Sequence, residues 1–145
     1  MAGFDAQIRL ADPGSDGEDP AGLVVVHHLA DRAEIRAEVL SGGHLLHLAV
    51  AGCLFNDILR EARARGISVT DLRVSADGDF GGDPMISTGI TYEVEIAGEA
   101  PEADLRRLVA DCEAPAAIPE TLRAGTTVGP GSIQVRAAAQ ERGVE

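Results

Sequence analysis

The sequence predicts an α+β fold, in which strands precede and follow one long apolar helix. Apolar and polar residues alternate from Ala33 to Leu40 and largely from Ile86 to Ala97, and a period of two is typical of half-buried strands. A mostly apolar stretch lies between them, from His44 to about Arg65, and Gly66 ends it as a helix. Strands and helices in this order, without regular alternation, are typical of α+β domains.

Length and charge limit what the chain can be. It has 145 residues, so we expect a single domain over residues 1–145. It has 12 Lys and Arg residues and 24 Asp and Glu residues, so its net charge is −12. This charge disfavours nucleic acid and anionic membranes as partners. No apolar run is expected to approach the roughly 20 residues that span a bilayer. Residues 1–5 lack the organisation of a secretory signal, so the expected location is the cytoplasm.

Three strands are predicted in the first third of the chain, over Phe4–Leu10, Leu23–His28 and Ala33–Leu40. The acidic stretch 12–20 between the first two is rich in Pro and Gly, so it is predicted to be a loop. Its carboxylates lack the spacing of an EF-hand, and no calcium site is predicted there.

The front half of the central helix, from Leu45 to Phe55, is apolar on nearly every face, which predicts burial all round. A chain this small would have difficulty surrounding such a helix, and a second subunit can cover it. After this helix the pattern predicts strands at Ser68–Ala76 and Ile86–Ala97 joined by loop 79–84, a helix at Glu102–Cys112, a last strand at Ser132–Ala137, and a frayed tail after about 138.

Cys53 lies in the middle of the apolar half of this helix, beside the small residues Ala49, Ala51 and Gly52. Free cysteine packs as a small hydrophobe, so one interpretation is a core residue. The other is a reactive thiol, since cysteines in a reducing compartment are more often free, buried or reactive than bridged.

Two groups of residues favour the second interpretation. The first is Gly42-Gly43, Leu45-Leu46, Ala49 to Cys53, Ala62 and Gly66-Ile67; the second is Ala116-Ala117-Ile118 with Thr121-Leu122. The first resembles the central helix of the OsmC/Ohr family, where a Gly-Gly turn leads into a helix whose apolar half ends in Ala-Gly-Cys. The second resembles that family's Cys-Pro-Val segment, which is followed by Thr-Leu. The chain is identified as a divergent member of this family.

The resemblance implies antiparallel sheets packed around a buried central helix, in an intertwined homodimer whose pockets are lined by both subunits. Family members of known activity are stress-response thiol peroxidases that reduce organic hydroperoxides without a bound cofactor, so the resemblance implies Cys53 as the nucleophile. The thiolate is the reactive form, and a mid-helix cysteine gains little from the helix dipole, so a cation is required. The family uses an upstream arginine, and Arg9, Arg32 and Arg36 are the candidates. Arg36 is preferred, although a solvated strand charge remains the alternative.

The sequence departs from the family pattern at two positions. His44 stands where the family has the glutamate that holds the arginine; it is either a polar substitute or a helix-start residue near solvent. Ala116 aligns with the resolving cysteine. Cys112 is four residues earlier, and on one helix it would share that face but lie about 6 Å away along the axis. Cys112 is therefore either a resolving thiol or a core residue that completes the stripe of Leu105, Leu108 and Val109.

Two functions follow. The first is a peroxidase in which Cys53 reduces an organic hydroperoxide and is recycled by Cys112 or by an external dithiol. The alternative is a catalytically silent dimer that binds a small apolar ligand. His44 and His47 lie at i and i+3, but neither a Cys-x-x-Cys pair nor a His-Glu-x-x-His motif accompanies them, so no metal or other cofactor is predicted.

Overall fold

The structure is a computed structural model that describes residues 3–11 and 22–137. Its elements, in chain order, are β1 (Ala6–Leu10), β2 (Gly22–His27), β3 (Asp31–Arg36), α1 (Gly42–Ala64), β4 (Val69–Gly81), β5 (Ile86–Gly98), α2 (Glu102–Glu113) and α3 (Ala117–Ala124). The predicted acidic loop 12–20 and the tail after 138 lie outside the described residues. The predicted α+β class is confirmed.

In the described part of the chain the strands form one antiparallel sheet, in the order β2-β3-β1-β4-β5, rather than several sheets. The helix α1 packs on one face of this sheet, mainly against β1 and β4, and α2 and α3 lie beside it. The core forms between them because strand side chains alternate between two faces. Ile8 and Val74 point to α1 from neighbouring strands, and Leu54, Phe55 and Ile58 of α1 are fully buried against them.

The ends of α1 follow from local chemistry. The hydroxyl of Ser41 accepts a hydrogen bond from the backbone N–H of His44, which satisfies one donor of the first turn. The helix begins two residues before the predicted start, at Gly42. Glycine fits at position 43 because a Cβ there would overlap the ring of Phe4. Gly66 follows the helix with a positive φ of 67°, which confirms its predicted role.

Four element predictions are corrected. The strand β3 ends at Arg36, not Leu40, because the chain turns toward Ser41 and α1. The strand β4 continues to Gly81 through pairs such as Gly81↔Ile86, which shortens the predicted loop 79–84. The helix α3 was not predicted, because it has only eight residues and contains Pro119, which its first turn tolerates.

The fourth correction concerns Ser132–Ala137, which forms no strand in the described chain. Its alternation of apolar and polar residues is that of a strand, but no strand among residues 3–11 and 22–137 pairs with it. Ile133 and Val135 are accordingly 76% and 88% exposed.

The helix α1 is not buried all round within one chain. Leu45 is 49% exposed and Ala49 is exposed as well, so the prediction holds only for the face against the sheet. By length and composition alone this 23-residue helix is also long and apolar enough to cross a membrane, so the expectation that no stretch approaches that length is wrong. A core helix passes the same test, and α1 forms the core of the domain.

Candidate functional site

Cys53 lies on α1 where that helix meets the start of α3. Its thiol is free and half-buried, and it packs against the core without becoming part of it. The backbone N–H of Ile118 points at Sγ of Cys53, with 3.4 Å between nitrogen and sulfur. The structure thus brings together Cys53 and the Ala116-Ala117-Ile118 segment, the two places that the sequence singled out.

The start of α3 is suited to this contact. The first backbone N–H groups of a helix have no partner within the helix, so the N–H of Ile118 is free to donate to sulfur. Ala116 and Pro119, on either side of Ala117 and Ile118, are buried and fix the turn against the core. The N-terminal end of a helix carries partial positive charge, and here its first turn lies beside the sulfur.

A cavity of about 320 Å³ lies near this contact, and Val50 and Pro119 line it although Cys53 itself does not. It lies between α1, β5 and α3, and Val50 in its wall is one helical turn before Cys53, on the same face of α1. Its lining is mainly apolar, with a phenol and a guanidinium among the polar groups: Leu46, Val50, Ser87, Gly89, Ile90, Tyr92, Pro119, Leu122 and Arg123. A space of this size accepts a small organic molecule.

Cys112, the second predicted site residue, is a buried member of the core at 4% exposure. Burial, together with the carboxylates of Asp57 and Glu61, raises the pKa of its thiol to about 11. The helix α2 ends at Glu113, so Cys112 and Ala116 do not share one helix face as the spacing argument assumed. These observations favour the interpretation of Cys112 as a core residue.

Arg36, the third predicted site residue, is the last residue of β3. Its Nε donates to Oε1 of Glu34 at 2.7 Å, so a carboxylate does hold this arginine, although not from the start of α1. Gly22 makes room for the pair, because a Cβ there would lie 3.0 Å from Cδ of Glu34.

The sheet separates Arg36 from Cys53 within one chain. Ile35 pairs with Ile8, and both pack in the core under α1. Successive side chains of a strand leave opposite faces, so Glu34 and Arg36 leave the face away from α1. The role of Arg36 at Cys53 therefore remains a prediction, and it requires a second copy of the chain.

His44 and His47 are both held by contacts within the chain. His44 is 6% exposed and its Nδ1 lies 2.7 Å from the hydroxyl of Ser41, so the expectation that it lies near solvent is wrong. His47 is fully buried against the rings of Phe4 and Phe80, and its Nδ1 lies 2.6 Å from the carbonyl oxygen of Gly43. Among residues 3–11 and 22–137, no three His, Cys, Asp or Glu side chains converge on a metal position.

Sequence reasoning missed the contact from Ile118 and the cavity residues Tyr92 and Arg123. Tyr92 lies on the strand predicted at Ile86–Ala97, but nothing in the sequence places α3 against it. The contact from Ile118 comes from the backbone, so its side chain gives no sign of it. The signal that was available is the pair Pro115 and Pro119 around position 116, since proline is common at helix starts.

Comparisons with known proteins agree with this architecture. The family model described as OsmC-like protein matches residues 36–130, which is more than half of the chain. The solved structure of an OsmC-like hydroperoxide resistance protein from Jannaschia sp. CCS1 is similar in fold, with a TM-score of 0.53 and 15% sequence identity over 86% of this chain and 91% of that chain. No curated protein matches the chain significantly. The chain therefore belongs to the OsmC-like protein family.

Proposed function

We propose that this chain is a thiol peroxidase that reduces organic hydroperoxides through Cys53. The observation that carries the proposal is the contact between Ile118 N–H and Cys53 Sγ, close in the chain to Val50 and Pro119, which line a mainly apolar cavity. Family membership and the hydroperoxide resistance protein of similar fold support the same reaction.

In the first step the thiolate of Cys53 attacks the outer oxygen of the hydroperoxide. A sulfur–oxygen bond forms, the oxygen–oxygen bond breaks, and the departing alkoxide takes a proton and leaves as an alcohol. Cys53 becomes a sulfenic acid. The N–H of Ile118 lies beside the reacting sulfur, where it favours the thiolate before the attack, while the apolar lining holds the organic part of the substrate.

In the second step an external dithiol returns Cys53 to the thiol. One thiol of the dithiol displaces water from the sulfenic acid to form a mixed disulfide, and the second thiol then releases Cys53 and leaves as a cyclic disulfide. The dithiol supplies both electrons. We assign this step to an external reductant because Cys112 is buried and its raised pKa leaves little thiolate near neutral pH.

We propose further that the active form is a homodimer. The face of α1 that carries Leu45 and Ala49 is exposed in one chain, and Val39 and Leu40 just before it are 63% and 69% exposed. Ile118 and Leu122 on α3 are also partly exposed, beside the cavity. Apolar surface of this extent around a site is typical of a protein interface, and a second copy is the simplest cover.

Intact mass tests the proposal directly. The protein is mixed with one equivalent of an organic hydroperoxide such as cumene hydroperoxide, with and without dihydrolipoamide, and the substrate is followed in parallel. The expected result is a gain of one oxygen at Cys53 that the dithiol reverses, with the alcohol as product. The variant Cys53→Ser serves as the control. A wild-type protein whose thiol stays unmodified while the hydroperoxide persists contradicts the proposal.

The second candidate is a catalytically silent dimer that binds a small apolar ligand in the same cavity. The observation that favours it is the buried Ala116 where the family has its resolving cysteine, together with the inaccessible Cys112. In the experiment above, this candidate predicts an inert Cys53. A solvatochromic apolar dye that binds wild type and Cys53→Ser equally would support it.

A further inference from the structure

Tyr92 and Glu113 join β5 to the last residue of α2 through a hydrogen bond. The hydroxyl of Tyr92 donates to Oε2 of Glu113. Only the residues from Ala114 to Ala116 separate Glu113 from the start of α3. The bond therefore lies directly before the helix that presents the N–H of Ile118 to Cys53.

The turn between α2 and α3 is the segment whose position decides where that N–H points. On its α2 side, Leu108 and Cys112 fix the helix against the core, but both precede the turn. On its α3 side, the side chains of Ala116 and Pro119 carry no polar group, so neither adds a directional side-chain bond. The hydrogen bond from Tyr92 to Glu113 is directional, and it holds the last residue of α2 in place.

Tyr92 also touches the other side of the site. Its ring lines the cavity together with Arg123 of α3, so one side chain contacts the cavity and holds the end of α2. Glu113, in contrast, is not among the residues that line this cavity. The two residues can therefore be separated experimentally, since only one of them contacts a bound ligand.

We propose that Tyr92 and Glu113 are positioning residues, which hold the turn between α2 and α3 so that the N–H of Ile118 reaches the sulfur of Cys53. The importance of this pair for turnover rests on the proposed peroxidase function. Its effect on the thiol does not depend on that function, because the contact exists in the unreacted protein.

The hydroxyl of Tyr92 is a hydrogen-bond donor over the whole pH range in which the thiol of Cys53 would react. Burial, followed by the hydrogen bond to Glu113, raises the pKa of Tyr92 to about 12. The phenol therefore keeps its proton, and Tyr92 remains the donor.

The test measures the thiol and the turn without any hydroperoxide. The rate of Cys53 alkylation by iodoacetamide is followed by peptide mass as a function of pH, and exchange of the Ile118 amide is followed by NMR. Tyr92→Phe removes the donor and keeps the ring, while Glu113→Ala removes the acceptor outside the cavity. Each is expected to slow alkylation near neutral pH by roughly three- to tenfold, to approach the wild-type rate at high pH, and to speed exchange at Ile118.

The controls separate positioning from general loosening. Glu113→Gln keeps an acceptor oxygen and should retain the wild-type pH profile. Glu102→Ala removes a charge from the same helix, in the exposed pair with Arg106, and should have no effect. The double variant Tyr92→Phe/Glu113→Ala should be no slower than either single variant, because both remove one interaction.

Unchanged exchange at Ile118 in Tyr92→Phe and Glu113→Ala overturns the inference, as does alkylation that is equally slow in Glu113→Gln. A wild type that shows the expected pH profile but is inert to hydroperoxide removes the proposed function and leaves the positioning role intact.

Discussion

Nε2 of His27 lies 2.6 Å from Oδ1 of Asn56, and this contact joins the end of β2 to the middle of α1. The other ring nitrogen, Nδ1, accepts a hydrogen bond from the backbone N–H of Leu29 at 3.0 Å. An accepting Nδ1 carries no proton, so Nε2 is the donor to Asn56 and the ring is neutral. The hairpin between β2 and β3 therefore depends on a neutral histidine.

This geometry predicts a loss of stability in mild acid. Burial, and to a smaller extent the neighbouring His28, lowers the pKa of His27, although the bond to Asn56 acts in the opposite direction. Since the folded state prefers the neutral ring, its contribution to stability is present above the unfolded pKa of about 6.5 and is lost as pH falls through the folded pKa. Urea unfolding of His27→Gln at several pH values should show a weaker decline below pH 6.5 than wild type. His28, which is exposed, serves as the control. If His28→Gln weakens the decline and His27→Gln does not, the assignment to His27 is wrong.

The contact at Cys53 predicts an unusual effect of proline. Ile118→Pro removes the N–H that points at sulfur, while the first turn of a helix tolerates the ring. It should slow alkylation and hydroperoxide reduction roughly tenfold, since one hydrogen bond to an ionised group is lost. Ile118→Ala keeps the N–H and should be close to wild type. Stopped-flow kinetics with both variants provides the measurement, and equal rates for the two would show that the N–H has no role.

The position of Arg36 predicts that its effect on Cys53 crosses between subunits. Co-expressed Cys53→Ser and Arg36→Ala chains, with different affinity tags, give a heterodimer that can be purified. If Arg36 acts across the interface, one site of that heterodimer has both Cys53 and Arg36, and about half of wild-type activity should return although each parent is weak. A heterodimer as inactive as both parents would contradict action across the interface, and an Arg36→Ala parent as active as wild type would place Arg36 outside the site.

Cys112 is expected to contribute to stability rather than to the reaction. Cys112→Ser should lower the free energy of unfolding by about 1–2 kcal/mol more than Cys112→Ala, because a hydroxyl in an apolar site lacks a good partner. Both variants should oxidise at Cys53 as fast as wild type. Peptide mapping of the oxidised wild type should find no bond between the two cysteines, and such a bond would restore Cys112 as the resolving thiol.

Periodicity was sufficient for most of the fold. The alternation from Ile90 to Ile96 and the stripe of Leu105 and Leu108 place β5 and α2 correctly, because each is long enough for its period to be clear. The segment Ser132–Ala137 shows the limit of the method: its pattern is that of a strand, but pairing depends on a neighbour that the pattern does not contain.

The candidate site was predicted only in part. Cys53 and the segment around Ala116 could be found because each has a sequence motif. The separation of Arg36 from Cys53 could not, since it depends on which face of the sheet α1 covers. The pair of Tyr92 and Glu113 could not be found either, because it joins two elements whose relative position is set by tertiary packing.

A main-chain donor at the sulfur of Cys53 changes how this site can evolve. Since a peptide group makes the contact, position 118 can accept almost any residue without losing it, and selection there acts on the path of the backbone instead of on a side chain. The chain can therefore drift far in sequence around α3 while this contact stays intact. Relatives of this kind will be recognised by the start of a helix placed opposite a cysteine, even where the residues at that start have nothing in common.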